Sequence, residues 1–356
     1  MRINSVTKKG VSKMDKKINN YWSIDIAKLF FCICIVVTHT RLLSYLPSVP
    51  RAIINGTIVR AAVPFFFIVS GFFLGQSIEK RGYYIAIKRY VYRMLKPLII
   101  FESIGVLINV AYMIKDRHNT FEIIITNIQE ILFYPRVSMW FLQACIVGAC
   151  MVYALRKIEL NVQLLIGIFL FCIALLCNNY YEISEKLGAN KIVEQYLNIC
   201  ISARNGVFYG YCFLVIGQLL YFHRASFEKW SKYKTIGLLI IAYAAYVLES
   251  LYVDKLYRAD DGSLFILQLA TVPLIIIALI RLAIKYPISW RGAIVCRKYS
   301  TGIYYVQKIV LYVVEAVFLV LHLTLTPFRS FCLVLMISTG LCFISYRVPV
   351  LSKIMQ

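Results

Sequence analysis

The sequence predicts an all-α integral membrane protein with about ten transmembrane helices and both termini in the cytoplasm. Three observations lead there. Of 356 residues, 60% are apolar and only 16% charged, and the mean hydropathy is +0.73. Ten continuous apolar stretches follow one another, separated by polar breaks. Lys and Arg then collect in alternate breaks. A soluble domain carries about 25% charged residues and under about half apolar ones, so this chain could not cover a water-facing surface. The same composition excludes disorder. Continuous rather than alternating apolar runs exclude a porin-like barrel. Backbone groups in hydrocarbon must be satisfied within their own segment, so the spans are read as helices.

The stretches run over 24–44, 58–78, 95–114, 139–155 and 162–177, then 206–222, 236–253, 264–282, 302–322 and 331–347. The first is too long for the apolar region of a signal peptide, and no small-residue cleavage site follows it. The second contains Pro64, which removes an internal helix bond, and Ser70-Gly71, which permits close helix approach. The third follows the basic stretch from Lys80 to Lys96. The fourth opens on Met139-Trp140 and the fifth ends before Asn178-Asn179. The sixth begins after Arg204, and the seventh follows the basic residues from Arg224 to Lys234. The eighth and ninth flank a further basic break from Arg281 to Lys298, and the last ends at Arg347. The longest non-cytoplasmic loops cover 115–138 and 178–205, and the second is expected to hold a short interfacial helix.

Charge sets the orientation. An even number of spans puts both termini on one side. That side holds 25 Lys and Arg, counting those at the span ends, the opposite side holds 10, and four remain outside this count. Cytoplasmic loops collect such residues, so the termini are expected inside. The bias also accounts for most of the net charge of +22. No nucleic-acid partner is needed, although the basic loops favour anionic lipid headgroups. Residues 1–21 read as a basic cytoplasmic tail and 22–356 as one polytopic transmembrane domain. No internal repeat is evident, unlike the transporter folds built from repeats. The 11 Cys form no C-x-x-C pair and most lie in apolar runs, where a thiol packs as a small hydrophobe. His39, His118, His223 and His322 fall in different segments without ligand spacing, so no metal is expected.

The four basic residues outside the loop count are Lys28, Arg41, Arg60 and Lys308. Charge at membrane depth is expensive and points first to function. Arg41 and Lys308 also fit as snorkelling or helix-end residues, and Arg60 as an anchor near the outer end of its span. Lys28 and His39 carry more information. They are 11 residues apart, which is three turns plus about 20°, so they share a helix face about 16 Å apart in depth. Asp25, one turn before Lys28, is positioned to pair with it. A neutral imidazole in a helix bundle can serve as a general base, or simply hydrogen-bond to a neighbouring helix.

At this point the chain resembles a known family. Asp25, Lys28 and His39, then Arg60-x3-Pro64-Phe65-Phe66-Phe67-x2-Ser70-Gly71, are similar to the opening of the acyltransferase-3 family of bacterial membrane proteins. Lys88-Arg89-x3-Arg93-x3-Pro97 resembles its next cytoplasmic loop. Met139-Trp140-Phe141-Leu142 and Ser300-x2-Ile303-Tyr304 resemble later landmarks. Within the family, Ala203-Arg204-Asn205-Gly206-Val207-Phe208 looks like the membrane half of VanT-type serine racemases. The resemblance covers nearly the whole chain. It implies multi-pass insertion in a bacterial plasma membrane and transfer of an acyl group, acetyl first among them. The donor implied is a cytoplasmic acyl-CoA such as acetyl-CoA, and the acceptor a hydroxyl or amine of an envelope glycan or similar molecule. It implies His39 as catalytic base with Lys28 in the same site. Lys88, Arg89 and Arg93 become the CoA-phosphate contacts, and Arg60, Arg204 and Gln307 the acceptor-side candidates. Interface anchoring is an equal reading of Arg204.

Two departures qualify the implication. Family members often carry His where this chain has Gln307, and Gln cannot exchange a proton near neutral pH. The pair Arg89 and Arg93 is spaced by three intervening residues rather than the commoner two, which still keeps both on one helix face. No racemase domain is recognisable within the 356 residues, so racemisation is not expected. Two alternatives stay open. A polar seam of Lys28, His39, Arg60, Glu102 and Glu249 suits uptake of a small amino acid such as serine, and Gln307 suits an inactive membrane scaffold.

Overall fold

The computed structural model describes residues 21–256 and 262–348. The basic tail therefore lies, Tyr21 excepted, outside the described residues. All regular structure among the described residues is helical. The α-helices in chain order are α1 (Trp22–His39), α2 (Ser48–Ile53), α3 (Ala62–Arg81), α4 (Tyr83–Lys115) and α5 (Thr120–Phe133). Then come α6 (Trp140–Ala154), α7 (Leu160–Leu176), α8 (Tyr181–Lys186), α9 (Asn190–Cys200) and α10 (Tyr211–Phe222). The series closes with α11 (Arg224–Glu228), α12 (Lys232–Val253), α13 (Gln268–Lys285), α14 (Arg291–Val320) and α15 (Pro327–Arg347). Two π-helical turns, Ile54–Val59 and Gly206–Gly210, run into α3 and α10.

Among the described residues, seven segments are long and apolar enough to cross a membrane: α1, the α2–α3 run, α4, α12, α13, α14 and α15. Three shorter apolar helices, Trp140–Ala154, Leu160–Leu176 and Gly206–Phe222, fall on the fourth, fifth and sixth predicted stretches. The outward faces are apolar. Leu107, Ile241, Val320 and Met336 are each about 70% exposed, which suits contact with lipid rather than water. The loop at 178–205 carries two short helices, α8 and α9. The loop at 115–138 also carries one, α5, which was not expected. Asn119 and Glu122 close its first turn as a reciprocal cap. One face of α5 exposes Phe121, Ile124, Ile128 and Leu132.

At the centre is α10, whose residues Tyr211 to Gln218 are all buried. A helix apolar on every side belongs inside a bundle. Its largest neighbour is α3. A Cβ on Gly71 of α3 would lie 2.2 Å from the Leu214 carbonyl oxygen, and one on Gly217 of α10 would lie 2.1 Å from that of Ile68. The two backbones touch because both positions lack a side chain. A second core cluster joins α1, α4, α14 and α15. The pairs α1–α14 and α14–α15 are the next most extensive. The space left where α1, α3, α4, α6 and α14 meet holds the candidate site.

Candidate active site

The site begins near the N-terminal end of α1. Lys28 donates to Asp25 Oδ1 at 3.2 Å, one turn back, as the spacing predicts. Asp25 is almost fully buried. Its other oxygen lies 3.7 Å from Arg297 Nη1 of α14. Lys28 Nζ also stands 4.9 Å from the ring centre of Phe73. Lys28 is thus held by a carboxylate and an aromatic face, pinned to α3 and α14.

Three turns on, α1 stops. Arg41 takes a left-handed φ of 52°, and its N–H caps the Thr38 carbonyl. His39 is the last helical residue and is half-buried. Its Nε2 lies 2.8 Å from the Ser138 hydroxyl, 99 residues away. Ser138 sits in the bend between α5 and α6, where Val137 and Ser138 have φ of 47° and 68°. Both are in the left-handed region that non-glycine residues avoid. Three bonds hold this bend. The buried Glu102 of α4 accepts from the Arg136 N–H at 3.0 Å. The Arg136 guanidinium pairs with Glu130 of α5. Tyr304 of α14 donates to the Ser138 carbonyl. Replacing Glu102 with Ala leaves the Arg136 amide without its acceptor. We expect a loss of about 2 kcal/mol, read as a lowered Tm in detergent.

Lys28 and His39 line one cavity of about 910 Å³. Arg89 and Arg93 of α4 line it too, with Lys80 and Arg81 of α3 and Arg297 and Lys298 of α14. Arg60, just after the first π turn, and Arg204, just before the second, also line it. No Asp or Glu among the described residues lines it. The formally charged groups on the wall are therefore all cations, set among apolar residues and aromatic surface from Phe66, Phe141, Tyr304 and Tyr305. Such a channel favours anions and offers stacking surface beside them.

The segment around Arg204 is built for position. Asn205 accepts from the N–H groups of Val207 and Phe208 at 3.0 and 3.1 Å, opening the π turn. A Cβ on Gly206 would strike Val147 at 2.4 Å, so the turn packs directly on α6. Arg204 lies 5.2 Å from the ring centres of both Tyr134 and Trp140, which stack on each other, and donates to the Tyr134 hydroxyl.

Comparison with known proteins matches the sequence to a family. The model of an acyltransferase domain fits residues 21–347. The chain belongs to this acyltransferase family. Two curated relatives of the acyltransferase chain are an amino-acid racemase of Enterococcus faecalis and a serine/alanine racemase of Enterococcus gallinarum. The first is 26% identical over 209 residues, covering 56% of this chain and 28% of the relative. The second is 22% identical over 246 residues, covering 68% of this chain and 35% of the relative. The chain thus spans about a third or less of the curated relatives it matches. No solved structure matches it.

Six of the eight residues singled out from sequence meet at this cavity: Lys28, His39, Arg60, Arg89, Arg93 and Arg204. Lys88 does not line it; its ammonium lies toward the exposed Tyr84, 6.0 Å from the ring centre. Gln307 does not line it either. It is fully buried, and neither amide atom has a hydrogen-bond partner among the described residues. Glu102 and Glu249 also stand off the cavity wall. Glu249 accepts from the Tyr180 hydroxyl and from the N–H groups of Ile266 and Leu267, tying α12 to the segment before α13. Residues missed in the sequence are Ser138, Tyr304, Arg297 and Lys298. Tyr304 was visible only as a landmark, and the other three carried no spacing signal.

Proposed function

We propose that the chain is a multi-pass acyltransferase of a bacterial plasma membrane, with ten spans and both termini in the cytoplasm. It takes an acyl group, acetyl first, from cytoplasmic acyl-CoA. It passes that group to a hydroxyl or amine of an envelope acceptor such as a glycan. The three shorter apolar helices complete the ten spans. The observation that carries the reading is one continuous cavity, with no Asp or Glu of the described residues on its wall, joining a cluster of cations to His39. CoA is a polyanion with a long, thin thioester arm. Arg89, Arg93, Arg297 and Lys298 suit its phosphates. The arm would run past Lys28 over about 16 Å to His39, which takes the proton of the attacking group. Arg60 and Arg204 face the acceptor.

Release of free CoA from acetyl-CoA by purified protein, with a crude envelope fraction as acceptor, tests this. No release and no CoA binding would overturn it. The reading also makes a graded prediction. Each charge-assisted hydrogen bond contributes about 1.5–3 kcal/mol. The double variant Arg89→Ala, Arg93→Ala is therefore expected to raise Kd for acetyl-CoA by about 10²-fold or more. Lys88→Ala should change it less than about twofold, as for an exposed charge away from the ligand.

A second reading has the cavity pass a small amino acid such as serine, the class of molecule on which the relatives are named as racemases. An acid-free wall suits a carboxylate but offers no anionic partner for an ammonium group. Flux of labelled serine into proteoliposomes, insensitive to acetyl-CoA, would favour that reading over acyl transfer.

A further inference from the structure

The bend at Ser138 is costly. Two successive non-glycine residues in the left-handed region cost on the order of 1–3 kcal/mol each, and Val137 is β-branched. Its surroundings are shaped to keep it. Val137 is buried, and both its methyl carbons stand 3.2 Å from where a Cβ on Gly105 would be. Any larger residue at 105 would push on the bend. Added to the bonds from Glu102, Glu130 and Tyr304, restraints from α4, α5 and α14 converge on three residues. The outcome of all of them is one geometry: a serine hydroxyl 2.8 Å from an imidazole nitrogen, both on the cavity wall. In the tautomer with Nδ1 protonated, the Ser138 hydroxyl donates to Nε2. A hydroxyl so placed beside a base is an activated nucleophile. A hydrogen bond that merely oriented His39 could come from an unstrained residue.

We propose that Ser138 carries the acyl group covalently, so that transfer runs as a two-step relay; the proposal rests on the acyltransferase reading above. In the first step Ser138 Oγ adds to the thioester carbonyl carbon while His39 Nε2 takes its proton. The carbon–sulfur bond breaks, and the sulfur leaves as the CoA thiol with that proton. The acyl group is now an ester on Ser138. In the second step the acceptor's hydroxyl gives its proton to Nε2 and its oxygen adds to the ester carbonyl. The bond from that carbon to Oγ breaks, and Oγ recovers the proton. No electrons change hands and no further reactant is needed. The relay also lets CoA withdraw before the acceptor enters, so both need not crowd around one imidazole.

The test uses the purified full chain with labelled acetyl-CoA and no acceptor. After acid quench, the peptide containing Ser138 is expected to carry one acetyl group. In a parallel reaction, free CoA carrying its own label should exchange into unlabelled acetyl-CoA. Ser138→Ala should abolish the adduct and lower exchange by about 10³-fold or more while CoA binding persists. Ser138→Cys should still form an adduct, now a thioester, which shows that the site is folded and its chemistry transferable. His39→Ala should form none. Wild-type turnover with the envelope fraction but no exchange and no adduct overturns the relay alone. Turnover in Ser138→Ala within about threefold of wild type does the same. A wild-type protein that neither binds CoA nor releases it overturns the acyltransferase reading, and the relay falls with it.

Discussion

Replacing His39 with Ala is expected to lower acetyl-CoA turnover by about 10²–10⁴-fold, the usual contribution of a positioned general base. Binding of acetyl-CoA should hardly change. The cations assigned to the CoA phosphates cluster near Lys28, about 16 Å along α1 from the imidazole. The two effects are therefore separable: kcat falls while Kd holds. A second variant sharpens the test. Gln at position 39 can still hydrogen-bond to the Ser138 hydroxyl but cannot take its proton. His39→Gln is expected to match wild type in Tm and to match His39→Ala in turnover. Activity near wild type in His39→Gln would mean that the ring only holds the bend at Ser138 in place. Another residue would then have to be the base. Free CoA release, Kd by calorimetry and Tm in detergent are the three readouts.

How far this site could be read in advance depends on the range of each interaction. Lys28, Asp25 and His39 belong to one helix, so the helical repeat alone put Lys28 and His39 on one face and predicted the Asp25 pair. The same repeat puts Arg89 and Arg93, four residues apart on α4, on one face, and both line the cavity. Lys88, one residue off that face, does not line it. Ser138 was not legible. It meets His39 across 99 residues, through a bend that depends on a carboxylate, an ion pair and a tyrosine from three other helices. Hydropathy also hid part of the cation cluster. The ninth apolar stretch starts at 302 because Arg297 and Lys298 break the run. The helix itself begins at Arg291 and carries both cations to the cavity. Helix α4 similarly begins at Tyr83, well before the apolar stretch at 95. Apolar runs mark the hydrocarbon, not the helix ends. Amphipathic α5 was missed because it is too short and too polar on one face to register as a span.

The same distinction gives the largest expected effect on stability. Ser70-Gly71 permits a close helix approach, but nothing local says which helix arrives. The structure answers with α10 and a reciprocal glycine, Gly217. A methyl group at position 71 would sit 2.2 Å from a backbone oxygen of α10, and one at 217 would sit 2.1 Å from a backbone oxygen of α3. Backbone cannot swing aside as a flexible side chain can, so the helices must part. Parting them loosens contacts along a helix that is buried over most of its length. Overpacking of this kind typically costs about 1–3 kcal/mol, and Gly71→Ala and Gly217→Ala should fall at or above the top of that range. Val at either position should prevent recovery of folded protein. The two alanine variants act on one helix separation, so their combined cost should be less than the sum. Gly237 of α12 supplies the control, with no neighbouring atom within 4 Å of its would-be Cβ. Gly237→Ala should leave Tm unchanged or raise it, since Ala is favoured in a helix by about 1 kcal/mol. Thermal unfolding in detergent reads all four variants. A Gly217→Ala protein as stable as Gly237→Ala would mean that α3 and α10 do not meet backbone to backbone. The wall of the cavity formed by α3 would then have to be redrawn.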